Sequence, residues 1–285
     1  MGYDTEAISM SDKGFGPGTN RENLQRFADA GFTHLHFDRY RSTAERMSEE
    51  IIAQWEEDLA ATGMQVLDSH GCHGGGIELW AEDDADRFAA IDHFIHRLEV
   101  TKRLGGDAVV YHVPTRVEIH PVIIDRLLDS LAHLEPEARG RGMKIALENH
   151  YLPEVDLAVF PAAFERFDAD YLGFTLDPGH GLISGTLPWL LEHCCQRLTI
   201  LHLNENDTTK DHHWVPFTEG GVADWDPIVR AIAASPYAKP LQLEVHYKPE
   251  VYGDIDNFVS AAESAVRSLT QRVVKQREAL QVSTR

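Results

Sequence analysis

The sequence predicts an α/β protein folded as a single (β/α)8 TIM barrel, and three observations carry that expectation. Short runs of β-branched and apolar residues alternate with longer stretches whose apolar residues recur three and four apart, the periods of strand and helix. Eight such pairs fit into 285 residues, and a closed barrel of this kind takes roughly 250 as one unit. No second run of strands or helices stands apart, so residues 1–272 are expected to form the barrel and 273–285 a polar C-terminal tail.

The expected strands are Ala7–Met10, Thr33–Phe37, Gln65–Ser69, Ala108–Tyr111, Lys144–Leu147, Leu172–Leu176, Leu198–Leu201 and Leu241–Leu243. The helical patterns between and after them are Asn20–Ala30, Ser48–Thr62, Asp84–Leu104, Pro121–Arg141, Leu157–Phe167, Leu187–Cys195, Asp226–Ala234 and Asp256–Leu269. In the third helix Phe88, Ile91, Ile95 and Leu98 share a face; in the fourth, Ile124, Leu127, Leu128, Leu131 and Leu134 do. Ser48, and Asp226 ahead of Pro227, are candidate helix starts. Gly31, Gly63 and Gly142 are candidate stops. A dinucleotide-binding sheet is disfavoured, because the glycines at 14, 16 and 18 are broken by Pro17 and lack the later partner of that fingerprint.

Composition narrows the function classes. With 43% apolar and 25% charged residues the chain has enough apolar content for a core and no disordered tract. A formal net charge of −20 repels phosphate backbones, so nucleic acid is not an expected partner. No stretch nears the ~20 apolar residues that span a bilayer, and no secretory leader pattern opens the chain. Cys72, Cys194 and Cys195 form no disulfide framework, so a reducing cytoplasm is the expected setting. A homo-oligomer or a partner subunit is compatible with all of this.

In a barrel of this type the strand C-termini build the active site. Here almost every strand is followed by a polar residue: Asp38, His70, His112, Glu148, Asp177, His202 and Glu244. Four consecutive strands ending in Glu148, Asp177, His202 and Glu244 crowd acidic groups together, which is costly unless a cation shares the space. Oxygen ligands with one imidazole suit a hard divalent ion, manganese first, with magnesium, cobalt or zinc as alternatives.

At these positions the chain resembles the xylose isomerase-like barrel superfamily, which includes ketose epimerases, hydroxypyruvate isomerase, inosose dehydratase and endonuclease IV. LENH at 147–150, LDPGH at 176–180, HLNEN at 202–206, EGGVADW at 219–225 and LEVH at 243–246 are similar to its motifs in order and in register with the strands. The resemblance implies metal binding by Glu148, Asp177, His202 and Glu244, with His180 on a substrate oxygen. It also implies that Glu148 and Glu244 double as acid and base in a sugar or polyol isomerase or epimerase working through an enediolate.

His70 and His112 are then read as substrate contacts, and Trp214 and Phe217 as the preferred pocket walls among the aromatics Trp80, Trp189, Trp214, Phe217 and Trp225. The sequence lacks the arginine that ketose epimerases carry after the seventh-strand histidine, which weakens a ketose substrate. His36, Asp38 and Arg39 are candidates for a polar pocket lining or for an exposed, ion-paired loop. His150 and His246 stay open between substrate contact and capping of the barrel mouth. Arg116 is a candidate oxyanion contact or surface ion pair, and the HGCHGGG stretch a loop over the mouth.

Two other chemistries fit the same residues. A lyase or dehydratase acting on a keto-sugar, keto-inositol or 3-keto-glycoside would use the same metal and glutamates and end in β-elimination. A zinc phosphodiesterase like endonuclease IV would use His70, His112, Glu148, Asp177, His180, His202, Asp211, His213 and Glu244, with Asp211 and His213 as extra metal or substrate ligands; the −20 charge opposes it.

Overall fold

A computed structural model describes residues 6–39, 46–72, 78–115 and 117–283. Among these, eight parallel strands alternate with helices: β1 Ile8–Ser11, α1 Asn20–Asp29, β2 His34–Phe37, α2 Glu49–Thr62, β3 Gln65–His70, α3 Asp84–Arg103, β4 Ala108–His112, α4 Pro121–Gly140, β5 Lys144–Glu148, α5 Pro153–Arg166, β6 Leu172–Leu176, α6 Pro178–Ser184, α7 Leu187–His193, β7 Leu198–Leu201, α8 Trp225–Ala234, β8 Leu241–Leu243, α9 Pro249–Tyr252 and α10 Ile255–Ser283. The strands pair in the order β7-β6-β5-β4-β3-β2-β1-β8. A parallel bridge between Leu203 and Leu243 draws the two ends together, with Leu203 donating to the Gln242 carbonyl at 3.1 Å. This is the predicted (β/α)8 barrel, nearly closed.

Strand geometry decides what points where. Successive side chains face opposite sides of a strand. Val109, Tyr111, Ile145, Leu147 and Phe174 join the main core between sheet and helices, whereas Ala108, Val110, Ala146 and Ile200 form a separate small cluster inside the barrel. Carried one step further along each strand, the inward parity falls on His112, Glu148 and His202. The expected strands extend by one residue to take in His70, His112 and Glu148, and His112 pairs in register with Glu148.

The helix ends follow local chemistry. Thr19 caps α1 through a reciprocal capping box with Glu22, and Ser48 caps α2 as expected. Gly31, Gly63 and Gly142 take the left-handed conformation expected of helix stops. Other expectations need correction. Asp224, not Asp226, caps α8, accepting from the Asp226 amide at 3.1 Å. Phe88 on α3 is exposed, and Phe94 takes its place in the buried stripe. The final helix runs past its expected end at Leu269 and through Ser283, with Val266, Leu269 and Val273 buried along one face. Helix α5 starts four residues early, with Pro153 in its first turn.

Candidate metal centre

The four predicted ligands converge. One donor atom from each of Glu148, Asp177, His202 and Glu244 lies within 4.8 Å of the others, and all four side chains are buried. His202 Nδ1 stands 2.8 Å from Glu148 Oε1 and 3.2 Å from Glu244 Oε2, so carboxylates from two different strands reach one imidazole nitrogen. Asp177 caps α6: one oxygen accepts from the His180 amide at 2.9 Å and the other from the Asn204 amide group at 2.8 Å. Gly179 is required here, since a Cβ would lie 2.1 Å from Asn204 Oδ1.

Three further groups share these carboxylates: one is His36, His202 and Glu244, and the other two bring in more histidines. His70, His112 and Glu148 form one, with His112 Nε2 2.9 Å and His70 Nε2 3.4 Å from Glu148 Oε2. Asp177, His180 and His213 form the other, and Asp211 Oδ2 lies 3.3 Å from His180 Nε2 and 3.0 Å from His213 Nε2. In His70, His180 and His213 the Nδ1–H is placed to donate to a backbone carbonyl, that of Gly71, Asn149 and Glu244 respectively, at 2.8 to 2.9 Å. Each Nε2 is thereby left facing the mouth with its tautomer set from behind, the usual arrangement of a metal-ligating histidine.

The electrostatics follow from burial and crowding. Burial pushes the Glu148 carboxyl up, but His202 and His112 outweigh it and hold the group well below the ordinary range. Glu244 behaves likewise, its burial overcome by His202, Lys13 and His213. His202 is raised well above its usual value, since Glu148 and Glu244 together exceed its desolvation. Asp177 moves the other way, raised by burial despite His180 and His213. His150 and His246 are neutral: burial, then neighbouring imidazoles, lower them to about 2 and about 3. They sit at the mouth, His150 against His112 and His180, and His246 stacked on His213 at 4.6 Å.

Other sequence candidates spread out. Asp38 is buried beside Asp12, to which its amide donates at 3.1 Å, and lies 4.0 Å from Lys13 Nζ. Arg39 packs over Phe15, so it fits the surface-loop alternative and not a pocket lining. Trp214 stacks on His212 at 3.9 Å next to the Asp211–His213 pair. Phe217 lies exposed against Trp225 and beneath Arg272 of α10, and is not brought to the cluster. Trp80 is buried on Tyr111, Trp189 stacks on His193, and Trp225 donates to Glu205 at 2.9 Å; all three serve packing. Arg116 and positions 73–76 of the glycine-rich stretch lie outside the described residues.

Sequence reasoning missed Lys13, which forms an ion pair with Glu244 Oε1. It also missed Asn149 and Asn204, which fix Asp177, and Glu205, which accepts from the Ala223 amide and the Trp225 indole and thereby anchors the loop carrying Asp211 and His213. Lys13 was detectable by the rule used for the other strands, since it closely follows β1.

The xylose isomerase-like TIM barrel family model matches residues 24–270, and the chain belongs to that family. Its sequence is 26% identical over 274 residues to the uncharacterised protein y4fM of Sinorhizobium fredii (strain NBRC 101917 / NGR234), covering 87% of this chain and 88% of that one. Among solved structures it is similar to L-ribulose 3-epimerase, with a TM-score of 0.75 at 17% identity over 96% of this chain and 97% of that one. It is equally similar to the IolI protein with a bound zinc atom, with a TM-score of 0.75 at 18% identity over 93% and 98% of the two chains. At these identities the likeness speaks to the fold.

Proposed function

We propose that the chain is a divalent-metal-dependent isomerase or epimerase that moves a proton at a carbon beside the carbonyl of a small sugar or polyol. The observation that carries this reading is the approach of Glu148 and Glu244 to the same nitrogen of His202, two ionised carboxylates on either side of one buried point. The donor set fits a metal: three carboxylates and an imidazole, buried within 4.8 Å of one another, with flanking histidines whose tautomers are already fixed. Glu148, Asp177, His202 and Glu244 would hold the ion, manganese first, with magnesium, cobalt or zinc as alternatives. When bound, such an ion supplies Lewis-acid polarisation of a carbonyl and its neighbouring hydroxyl.

The protein does the rest. One of Glu148 and Glu244 takes the proton from carbon, and the other returns a proton to the enediolate held between them. Lys13 keeps Glu244 ionised and in place. His180, His70 and His112 hold substrate oxygens, and the neutral rings of His150 and His246 offer hydrogen bonds without charge, which suits an unphosphorylated substrate. Trp214 forms a wall.

Two observations favour other outcomes at the same centre. Against burial, His180 is raised above its usual value by Asp177 and Asp211, and His213 by Glu244 and Asp211. These histidines are acids placed to assist a leaving group, as a lyase on a keto-sugar, keto-inositol or 3-keto-glycoside would need. The four overlapping ligand groups would accommodate more than one ion, as a zinc phosphodiesterase would need.

The test has two parts. Elemental analysis of the purified protein should give about one Mn, Co or Mg per chain; two or three Zn would favour the phosphodiesterase. Incubation of a ketose and keto-inositol panel in deuterated water should label a retained carbon, whereas a dehydrated or cleaved product would favour the lyase.

A further inference from the structure

Below the mouth a buried polar column crosses the barrel interior, and nothing in the chemistry above uses it. His36, on the inward parity of β2, is fully buried, and its Nδ1 lies 2.7 Å from Asp68 Oδ1 on β3. The other Asp68 oxygen is 3.3 Å from Nζ of Lys239, which enters from the loop before β8 at the opposite end of the barrel and also meets Asp107 at 2.6 Å. On the mouth side the His36 ring stands 4.6 Å from the His202 ring, at 68° to it. His36 Nε2 and His202 Nε2 are both buried without a hydrogen-bond partner.

We propose that His36, backed by Asp68 and Lys239, is a positioning residue that fixes the ring of His202 so that its Nδ1 faces Glu148 and Glu244. The inference rests on the reading of His202 as a ligand. Its physical basis is a chain of fixed proton positions. The Asp68 carboxylate takes the Nδ1–H of His36, which leaves a lone pair on His36 Nε2. A buried ring N–H without an acceptor forfeits the hydrogen bond it made in water and is costly. The His202 ring stands 4.6 Å from the His36 ring, and the unpartnered Nε2 of His36 is an acceptor for the unpartnered Nε2–H of His202. As a ligand His202 would keep its proton on Nε2 and turn the Nδ1 lone pair toward the ion that Glu148 and Glu244 would share, in place of the Nδ1–H that meets the two carboxylates here. His70, His180 and His213 use backbone carbonyls for this purpose; His202 uses a side-chain column. Lys239 keeps the buried Asp68 ionised, so the far end of the barrel supports the near end.

The test uses the full chain with Zn(II), which is diamagnetic, and reads two quantities. Chelator competition gives the Zn(II) dissociation constant, and long-range 1H–15N spectra of the imidazoles give the His202 tautomer. His36→Phe and Asp68→Asn should weaken Zn(II) by about 10–100-fold, the usual effect of losing an outer partner. In His36→Phe the Nε2–H form of His202 should no longer be the single tautomer. His36→Gln, whose side-chain carbonyl accepts the same proton, should recover most of the affinity. Lys239→Gln, half-buried and remote, should give a smaller loss in the same direction and serves if the core variants do not fold. Wild-type protein that binds no Zn(II) would overturn the reading of the centre itself. Zn(II) binding that is unchanged in all four variants, with an unchanged tautomer, would overturn only the role of His36. A direct cadmium coupling to a His36 nitrogen would overturn it as well, by making His36 a ligand.

Discussion

The two halves of the barrel mouth are built from opposite chemistries. Strands β5 to β8 end in Glu148, Asp177, His202 and Glu244, while β1 to β4 lead into Lys13, Asp38, His70 and His112. The late half gathers three carboxylates around one imidazole. The early half sends imidazole and ammonium groups across to meet them: His112 and His70 reach Glu148, and Lys13 reaches Glu244. The lesson is one of division of labour. The late half concentrates the negative charge that the proposed cation and proton-transfer step would require, and the early half makes that concentration tolerable in a buried place.

Substitutions should separate the two halves. The largest effect is expected at Glu148, where both halves meet. Glu148→Gln should lower turnover by about 10³-fold, within the range for losing a general acid–base group, with the far-UV circular dichroism unchanged. Turnover that survived intact would remove the proton-transfer assignment. An early-half partner should cost less: His112→Phe should reduce kcat/KM by about 10-fold, as steady-state kinetics would show. An equal loss at Glu148 and His112 would erase the distinction.

A matched pair of buried acids sharpens the comparison through pH. Asp12 in the early half and Asp156 in the late half are each raised to about 7 from 3.8, chiefly by burial. For an acid raised on folding, the protonated form is the stabilising one. Its contribution is complete below the unfolded pKa near 3.8 and is lost as pH rises through about 7. Asp156 accepts from the His150 amide and the Thr186 hydroxyl, contacts that an asparagine can retain. Asp156→Asn should therefore leave Tm nearly unchanged at pH 4 and raise it above wild type at pH 8. A lower Tm at pH 8 would mean that Asp156 is ionised and stabilising. The smallest effect lies outside the mouth: Thr19→Ala, which removes the α1 capping box, should cost about 1 kcal/mol in denaturant unfolding and leave activity unchanged.

Much of this architecture was legible in the chain. The eight strands were readable because a closed parallel barrel buries them on the helix side, and four of them end in residues whose charge has no other business beside an apolar run. The convergence of Glu148, Asp177, His202 and Glu244 followed from strand parity and barrel closure. What the sequence hid were interactions between side chains distant along it. Lys13 and Glu244, or His36, Asp68 and Lys239, meet only once β1 and β8 lie side by side and the interior column forms. Phe217 shows how closeness in the chain can mislead about closeness in space. It follows Trp214 closely in the chain, but its left-handed backbone turns it toward Trp225 and Arg272 and not toward the cluster. The long final helix was cut short because its last turns are polar, although Val273 still anchors it.

The central claim is that the acidic half of the mouth exists to hold a cation. Crystals grown with Mn(II) and measured at the manganese absorption edge test it directly. The account predicts an anomalous peak bonded by Glu148, Asp177, His202 and Glu244. A map with Mn(II) absent from those four side chains, and Lys13 and the histidines alone balancing the carboxylates, would contradict it.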